Sequence, residues 1–104
     1  MIIREWRGRA TLAKAAEYPA HFRKRVMPEL KHIRGFLGTH LSRRDLEGGV
    51  EFLVLTHWSS MDAISGFAAG DISKAIVEPG AVAALTEFDH HVRHYEVIES
   101  CEVE

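Results

Sequence analysis

The sequence predicts an α+β domain, a four-stranded antiparallel sheet with its helices packed on one face. Three observations lead there. Val50 to Trp58 reads as a strand, and its run Phe52-Leu53-Val54-Leu55 is apolar without alternation, so both faces want cover. Leu12 to about Ile33, and later Met61 to Ala68, carry apolar residues at helical spacing. Two more strand-like segments and a Gly48-Gly49 turn complete the set.

Taken in order, Ile2 to Ala10 forms the first strand. Ile2, Arg4, Trp6 and Gly8 share one side, and Ile3, Glu5, Arg7 and Arg9 the other. The first helical stripe runs Leu12, Ala16, Pro19, Phe22, Val26, Leu30 and Ile33. Pro19 must interrupt or restart that helix, and Pro28 should end its regular part. The Arg23-Lys24-Arg25 run reads as a solvated helix face. Gly35 to about Arg43 is the second strand, with Gly38 suggesting a bulge. Leu46 to Gly49 turns into the third strand. Ser59 with Asp62 is a helix-start signal, and Met61, Ile64, Phe67 and Ala68 form the apolar side of the second helix. A third helix is expected from Asp71 to Val77, ended by Pro79-Gly80. Ala81 to Glu87 reads equally as loop or one helical turn, and Phe88 to Ile98 alternates as the last strand. Glu99 to Glu104 is a polar tail that can fray.

The composition bounds the function. The 104 residues suit one domain with one core, spanning 1–104, and 46% hydrophobic with 27% charged is ordinary for a folded protein. The longest apolar run, Ala81 to Leu85, falls far short of the roughly 20 residues of a membrane span. The first residues have no apolar signal core, and the single cysteine, Cys101, fits a reducing compartment, so the expected location is the cytoplasm. Residues 1–44 carry eleven Lys/Arg against three Asp/Glu, while residues 45–104 carry two against twelve. In one small domain these halves interleave and neutralise each other. No aromatic-basic platform accompanies the positive half, so nucleic-acid binding is not expected.

The order β-α-β-β-α-(α)-β is the ferredoxin-like arrangement, βαββαβ. Its helices cover one sheet face, and the chain has no material left for the other. The economical cover is a second copy, so a homodimer is expected, sheet face to sheet face. At this point the chain resembles the antibiotic biosynthesis monooxygenase family, the dimeric α+β-barrel proteins. The resemblance spans about residues 2–98. It rests on the early strand, on Glu17-Tyr18 and Phe22, on Ile33-Arg34-Gly35-Phe36, and above all on Val54 to Phe67, where a strand ends in Trp58-Ser59 and leads into a short helix. The family includes cofactor-free oxygenases of polyketide and quinol substrates, and haem-degrading enzymes. The resemblance therefore implies a cofactor-independent monooxygenase acting on an aromatic or quinol-type small molecule. The alternative is a non-catalytic small-molecule-binding or auxiliary protein of the same fold, or, further off, a haem- or metal-binding protein. Where the haem-degrading branch has Asn, Trp and an iron-ligating His, this chain has about Trp6, Phe67 and Val77, and it contains no Asn. That argues against the haem chemistry of that branch.

Few residues can carry chemistry. His90-x-x-x-His94 would pair on a helix, but on a strand the two rings lie about 13 Å apart, so no metal site is expected from them. A site assembled across strands from His40, His57 and one of the last three histidines stays open. No glycine-rich loop supports flavin or NAD binding, so no cofactor is expected. Ser59-Ser60 reads as a helix cap rather than a nucleophile. What remains is a cleft between helices and sheet. Trp6, Tyr18, Phe22, Trp58 and Phe67 are candidates for a substrate-binding wall, although each aromatic also suits the core, Trp58 above all. A cofactor-free oxygenase needs a base in an apolar enclosure, and His57 or His21 is the candidate catalytic residue.

Overall fold

The computed structural model describes residues 1–68 and 70–103. Strand β1 (Ile2–Thr11) is central. It pairs antiparallel along its whole length with β3 (Gly49–Trp58), from Ile2 opposite Trp58 to Thr11 opposite Gly49. Strand β2 (Phe36–Leu46) lies outside β3, with a bulge between Phe36 and Gly38 where the sequence placed one. On the other side of β1 lie β4 (Glu87–Phe88) and β5 (Arg93–Glu96). The order β2-β3-β1-β4, with β5 also against β1, is the ferredoxin-like sheet, its last position shared by two short strands.

The helical layer is more broken than the periodicity predicts. Thr11 Oγ accepts from the Lys14 amide at 3.3 Å and starts a 3₁₀ turn over Leu12–Lys14. Helix α1 (Glu17–His21) follows, with Pro19 in its first turn, where a missing N–H costs nothing. A π-helical stretch, Phe22–Val26, then leads into α2 (Met27–Leu30). Pro28 thus does not end the helix. Its ring conflicts with the carbonyl four residues back, and the ladder ahead of it widens, the Met27 amide donating to the Phe22 carbonyl. The break near Ala16 also rotates the buried stripe: Ala15, Tyr18, Phe22 and Leu30 face inward, while Leu12 is exposed.

Helix α3 (Met61–Phe67) is capped by Ser60, whose Oγ accepts from the Ala63 amide at 3.2 Å. The cap is one residue later than expected; the Ser59 amide instead donates to the Gly35 carbonyl at 2.8 Å. The helix expected over Asp71–Val77 does not form. Asp71 instead closes a turn, accepting from the Ser73 amide at 3.0 Å and hydroxyl at 2.7 Å. Beyond it the Ala75 amide donates to the His90 carbonyl, and the Val92 amide to the Ser73 carbonyl. That outside pairing satisfies backbone groups a helix would have used, and it divides the last strand into β4 and β5. Pro79-Gly80 opens a helix rather than ending one: α4 (Pro79–Ala84) has Pro at its first position.

Alternation along β1 and β3 decides what is buried. Arg4, Trp6 and Ala10, with Val50, Phe52, Val54, Thr56 and Trp58, point to the helices and are buried. Trp58 and Phe52 are nearly inaccessible, and Trp58 stacks on Phe67 at 5.2 Å between ring centres. On the opposite sheet face Leu53, Leu55 and Ile3 are half-buried. The unalternating run of β3 therefore has one fully buried face and one only partly covered by this chain. Beside that apolar centre, Glu51 accepts from Arg44 at 2.8 Å and Arg9 at 3.2 Å, which holds its carboxyl below the usual range. No helix among the described residues is long and apolar enough to cross a membrane.

Candidate functional site

A cleft of about 110 Å³ opens between the sheet and the helical layer. Its floor is Arg4 and Trp6 of β1 with Val54 and Thr56 of β3. Tyr18, His21 and Phe22 line one wall, Phe67 of α3 stands at another side, and the non-helical residues Ala75 to Glu78 close it. The tertiary path of 75–78 makes that wall, since a helix there would have drawn its carbonyls inward on itself.

The aromatic residues form a connected set. Trp6 lies 5.7 Å from Tyr18, and Tyr18 lies 5.4 Å from Phe52 and 6.1 Å from the His21 ring, centre to centre. Trp6 does not spend its N–H on the cleft: Nε1 donates to the Asp89 carbonyl at 2.8 Å. The ring is thereby fixed with its apolar surface toward the opening. Tyr18 is 4% exposed, and burial, with the Glu78 charge adding to it, pushes its hydroxyl well above the usual range. The Tyr18 hydroxyl therefore stays protonated and is not the base of this cleft.

His21 is the polar feature of this wall. Its Nε2 is buried and has no hydrogen-bond partner among the described residues. Gly80 packs against the other side of the ring: a Cβ there would sit 2.8 Å from Nδ1. A buried, unpaired imidazole nitrogen costs free energy, which a polar atom of a ligand would offset.

Trp6, Tyr18, His21, Phe22 and Phe67 thus come together around the cleft. Trp58 does not reach it. It is wholly buried between Phe36 and Phe67, its Nε1 donating to Thr56 Oγ1 at 2.8 Å. His57 lies one residue away on the strand and so on the opposite face of the sheet, edge-on to His40 at 5.7 Å. It cannot act as the base of this cleft. Nor do the histidines gather elsewhere: among the described residues, no three His, Cys, Asp or Glu side chains are grouped to hold a metal ion.

Sequence reasoning passed over Arg4 and the 75–78 wall. Arg4 is 5% exposed. Its Nη1 donates to the Ile72 carbonyl at 2.7 Å and to His94 Nε2 at 2.8 Å, and Nη2 donates to the Lys74 carbonyl at 3.0 Å. Since arginine only donates, His94 accepts through Nε2, and burial together with the Arg4 charge lowers the His94 pKa. The signal for Arg4 was present: it shares the Trp6 side of β1.

Comparison with known proteins agrees with this architecture. The family profile of the antibiotic biosynthesis monooxygenases matches residues 1–79. No curated protein matches the chain by sequence. Among solved structures, a proposed antibiotic biosynthesis monooxygenase from Deinococcus radiodurans superposes with a TM-score of 0.66 at 20% identity, over 100% of this chain and 99% of that one. The haem degrader MhuD from Mycobacterium tuberculosis, with two haems in its active site, gives 0.65 at 22% identity, over 98% and 100%. SnoaB, a cofactor-independent oxygenase from Streptomyces nogalater, gives 0.61 at 16%, over 95% of each chain. At such identities these likenesses speak for the fold. Together with the profile match over most of its length, they lead to one conclusion: the chain belongs to the antibiotic biosynthesis monooxygenase family.

Proposed function

We propose that this protein is a cofactor-independent monooxygenase of a small aromatic or quinol-type molecule, working in the cleft above β1. The observation that carries the reading is His21 Nε2, buried and unpaired at the wall of an aromatic cleft. In this reading the substrate lies against Trp6, Phe22 and Phe67, with a hydroxyl toward His21 and the neutral Tyr18. His21 takes the hydroxyl proton and leaves an electron-rich phenolate or enolate. That anion reduces O₂ directly. One oxygen atom bonds to the substrate carbon and replaces its two hydrogens as a carbonyl, and the other leaves with those hydrogens as water. The apolar walls exclude bulk water and leave the base oriented. The cleft is smaller than the roughly 300–1,000 Å³ of drug-sized sites, so it suits one or two rings.

Haem fits these residues less well. Val77, at the position where the resemblance puts the iron ligand, lines the cleft and offers no donor atom. The small-molecule-binding alternative uses the same walls without turnover.

Oxygen uptake with a panel of quinols and one- and two-ring phenols separates these readings. His21→Gln should lower the rate by about 100-fold or more while the protein stays folded, the usual worth of a positioned base. An unchanged rate in the variant removes His21 from the mechanism, and binding without uptake across the panel favours the non-catalytic reading. The half-covered sheet face with Leu53, Leu55 and Ile3 supports a homodimer. Mass measurement in dilute solution should return about twice 11.7 kDa, and a stable monomer would defeat that assembly.

A further inference from the structure

We infer that the ligand of this cleft carries a carboxylate, and that this group lies against the Arg4 guanidinium beside Phe67. The inference rests on the reading of the cleft as a small-molecule site and adds the charge of its occupant. It starts from an imbalance. Arg4 is 5% exposed and lines the cleft, yet among the described residues no carboxylate lies within salt-bridge distance of it. Every salt bridge found belongs to other arginines, most of them on the opposite sheet face. A buried cation without a counter-charge is costly, and burial accordingly lowers the Arg4 pKa.

The hydrogen bonds leave room for a partner. A guanidinium has five N–H donors. Three are used, by the carbonyls of Ile72 and Lys74 and by neutral His94. The Nε–H and one Nη2–H have no acceptor among the described residues, and two free donors are what a carboxylate takes in a fork. Phe67 stands 5.9 Å from the guanidinium carbon, ring centre to Cζ, and offers an apolar surface beside the charge. The three existing bonds hold the group still, so it is already oriented when a ligand arrives.

The cleft is polar in one direction. Glu78 lies at the end with Tyr18 and His21, where its charge helps keep the Tyr18 hydroxyl protonated. Glu29 is a second carboxylate on the lining, exposed on α2. A resident carboxylate is repelled from the Glu78 end and attracted to Arg4, whereas a phenolate formed at His21 is paired with the imidazolium that its own proton creates. The two ends are set by the strand: Arg4 precedes Trp6 by two residues, about 6.6 Å along β1, and Trp6 is the residue Tyr18 packs on. A ligand with its anionic group on Arg4 therefore presents its far ring to Tyr18 and His21.

The test compares 2-naphthoate with 2-naphthamide, equal in shape and different in charge, by quenching of tryptophan fluorescence in wild type and in Arg4→Gln. Wild type should prefer the acid by roughly tenfold to a hundredfold, the range of a charge-assisted hydrogen-bond pair. Arg4→Gln should bring that ratio near one. Arg4 also pins the 72–74 segment, so Arg4→Lys serves as a second variant, keeping charge without the fork and giving an intermediate ratio. Equal binding of acid and amide by wild type overturns the anionic ligand while leaving the cleft a binding site. A preference that persists in folded Arg4→Gln overturns the role of Arg4. Failure of both probes to bind overturns the small-molecule reading itself, and the charge assignment with it.

Discussion

Two glycine-to-alanine substitutions at the α3 layer should move stability in opposite directions. Gly35 joins α2 to β2 with φ +88°, a left-handed backbone. A Cβ there would lie 2.4 Å from Ala63 Cβ and 2.8 Å from Ser59 Oγ, closer than van der Waals contact allows. The left-handed conformation costs a side-chain-bearing residue about 1–2 kcal/mol. Forcing a methyl against α3 adds about 1–3 kcal/mol, because Ala63 belongs to the helix and cannot swing aside. Gly35→Ala should therefore lose about 2–5 kcal/mol. Gly66 lies within α3, exposed, with no atom within 4 Å of a Cβ built on it. Its replacement by Ala removes the entropic cost of a helical glycine and should gain about 0.5–1 kcal/mol. Urea unfolding of both variants reads the difference. With a slope of about 2 kcal/mol/M, the Gly35 variant should lose roughly 1–2.5 M in midpoint while the Gly66 variant rises slightly. A Gly35→Ala protein within about 0.5 kcal/mol of wild type would refute the packing of Gly35 against α3.

Two further outcomes follow from the core and from the Arg4 environment. Trp58→Ala should cost about 3–5 kcal/mol in the same unfolding assay, since the ring is wholly buried and its loss also strips Thr56 Oγ1 of a donor; a loss below about 1 kcal/mol would contradict its place in the core. His94 has a folded-state pKa lowered by burial and by Arg4. The folded protein thus binds the His94 proton less readily than the unfolded chain does. The stability this confers is complete above the unfolded value of about 6.5 and is lost as pH falls through the lower folded value. Thermal unfolding across that window should show a steeper acid loss in wild type than in His94→Gln, which keeps an acceptor for Arg4 without titrating. Parallel profiles would remove His94 as a contributor.

Much of the fold was legible because it follows from local pattern. Alternation in Ile2 to Ala10, the apolar run of β3 and the Gly48-Gly49 turn each specify a strand or a turn from neighbouring residues alone. The Val54 to Phe67 stretch carried the family resemblance for the same reason. Trp6, Tyr18, Phe22 and Phe67 could be named as one wall because the βαβ order brings their elements onto one sheet face. What failed depended on partners distant in sequence. Asp71 to Val77 has a helical pattern, but its amides and carbonyls are taken by residues 90–92 and by Arg4. His57 and Thr56 are adjacent in the chain, and only the register of β3 against β1 decides which faces the helices. Arg4 looked like one more charge on a mixed strand until its inward register placed it in the cleft, with no salt bridge among the described residues. The sequence by itself determined the first three strands, the helix after Trp58, the family and the aromatic character of the site, because these rest on local side-chain pattern. Tertiary structure alone decided which histidine lines the cleft and that Arg4 is buried with no salt bridge among the described residues, because burial and hydrogen-bond partnership are properties of residues brought together from opposite ends of the chain.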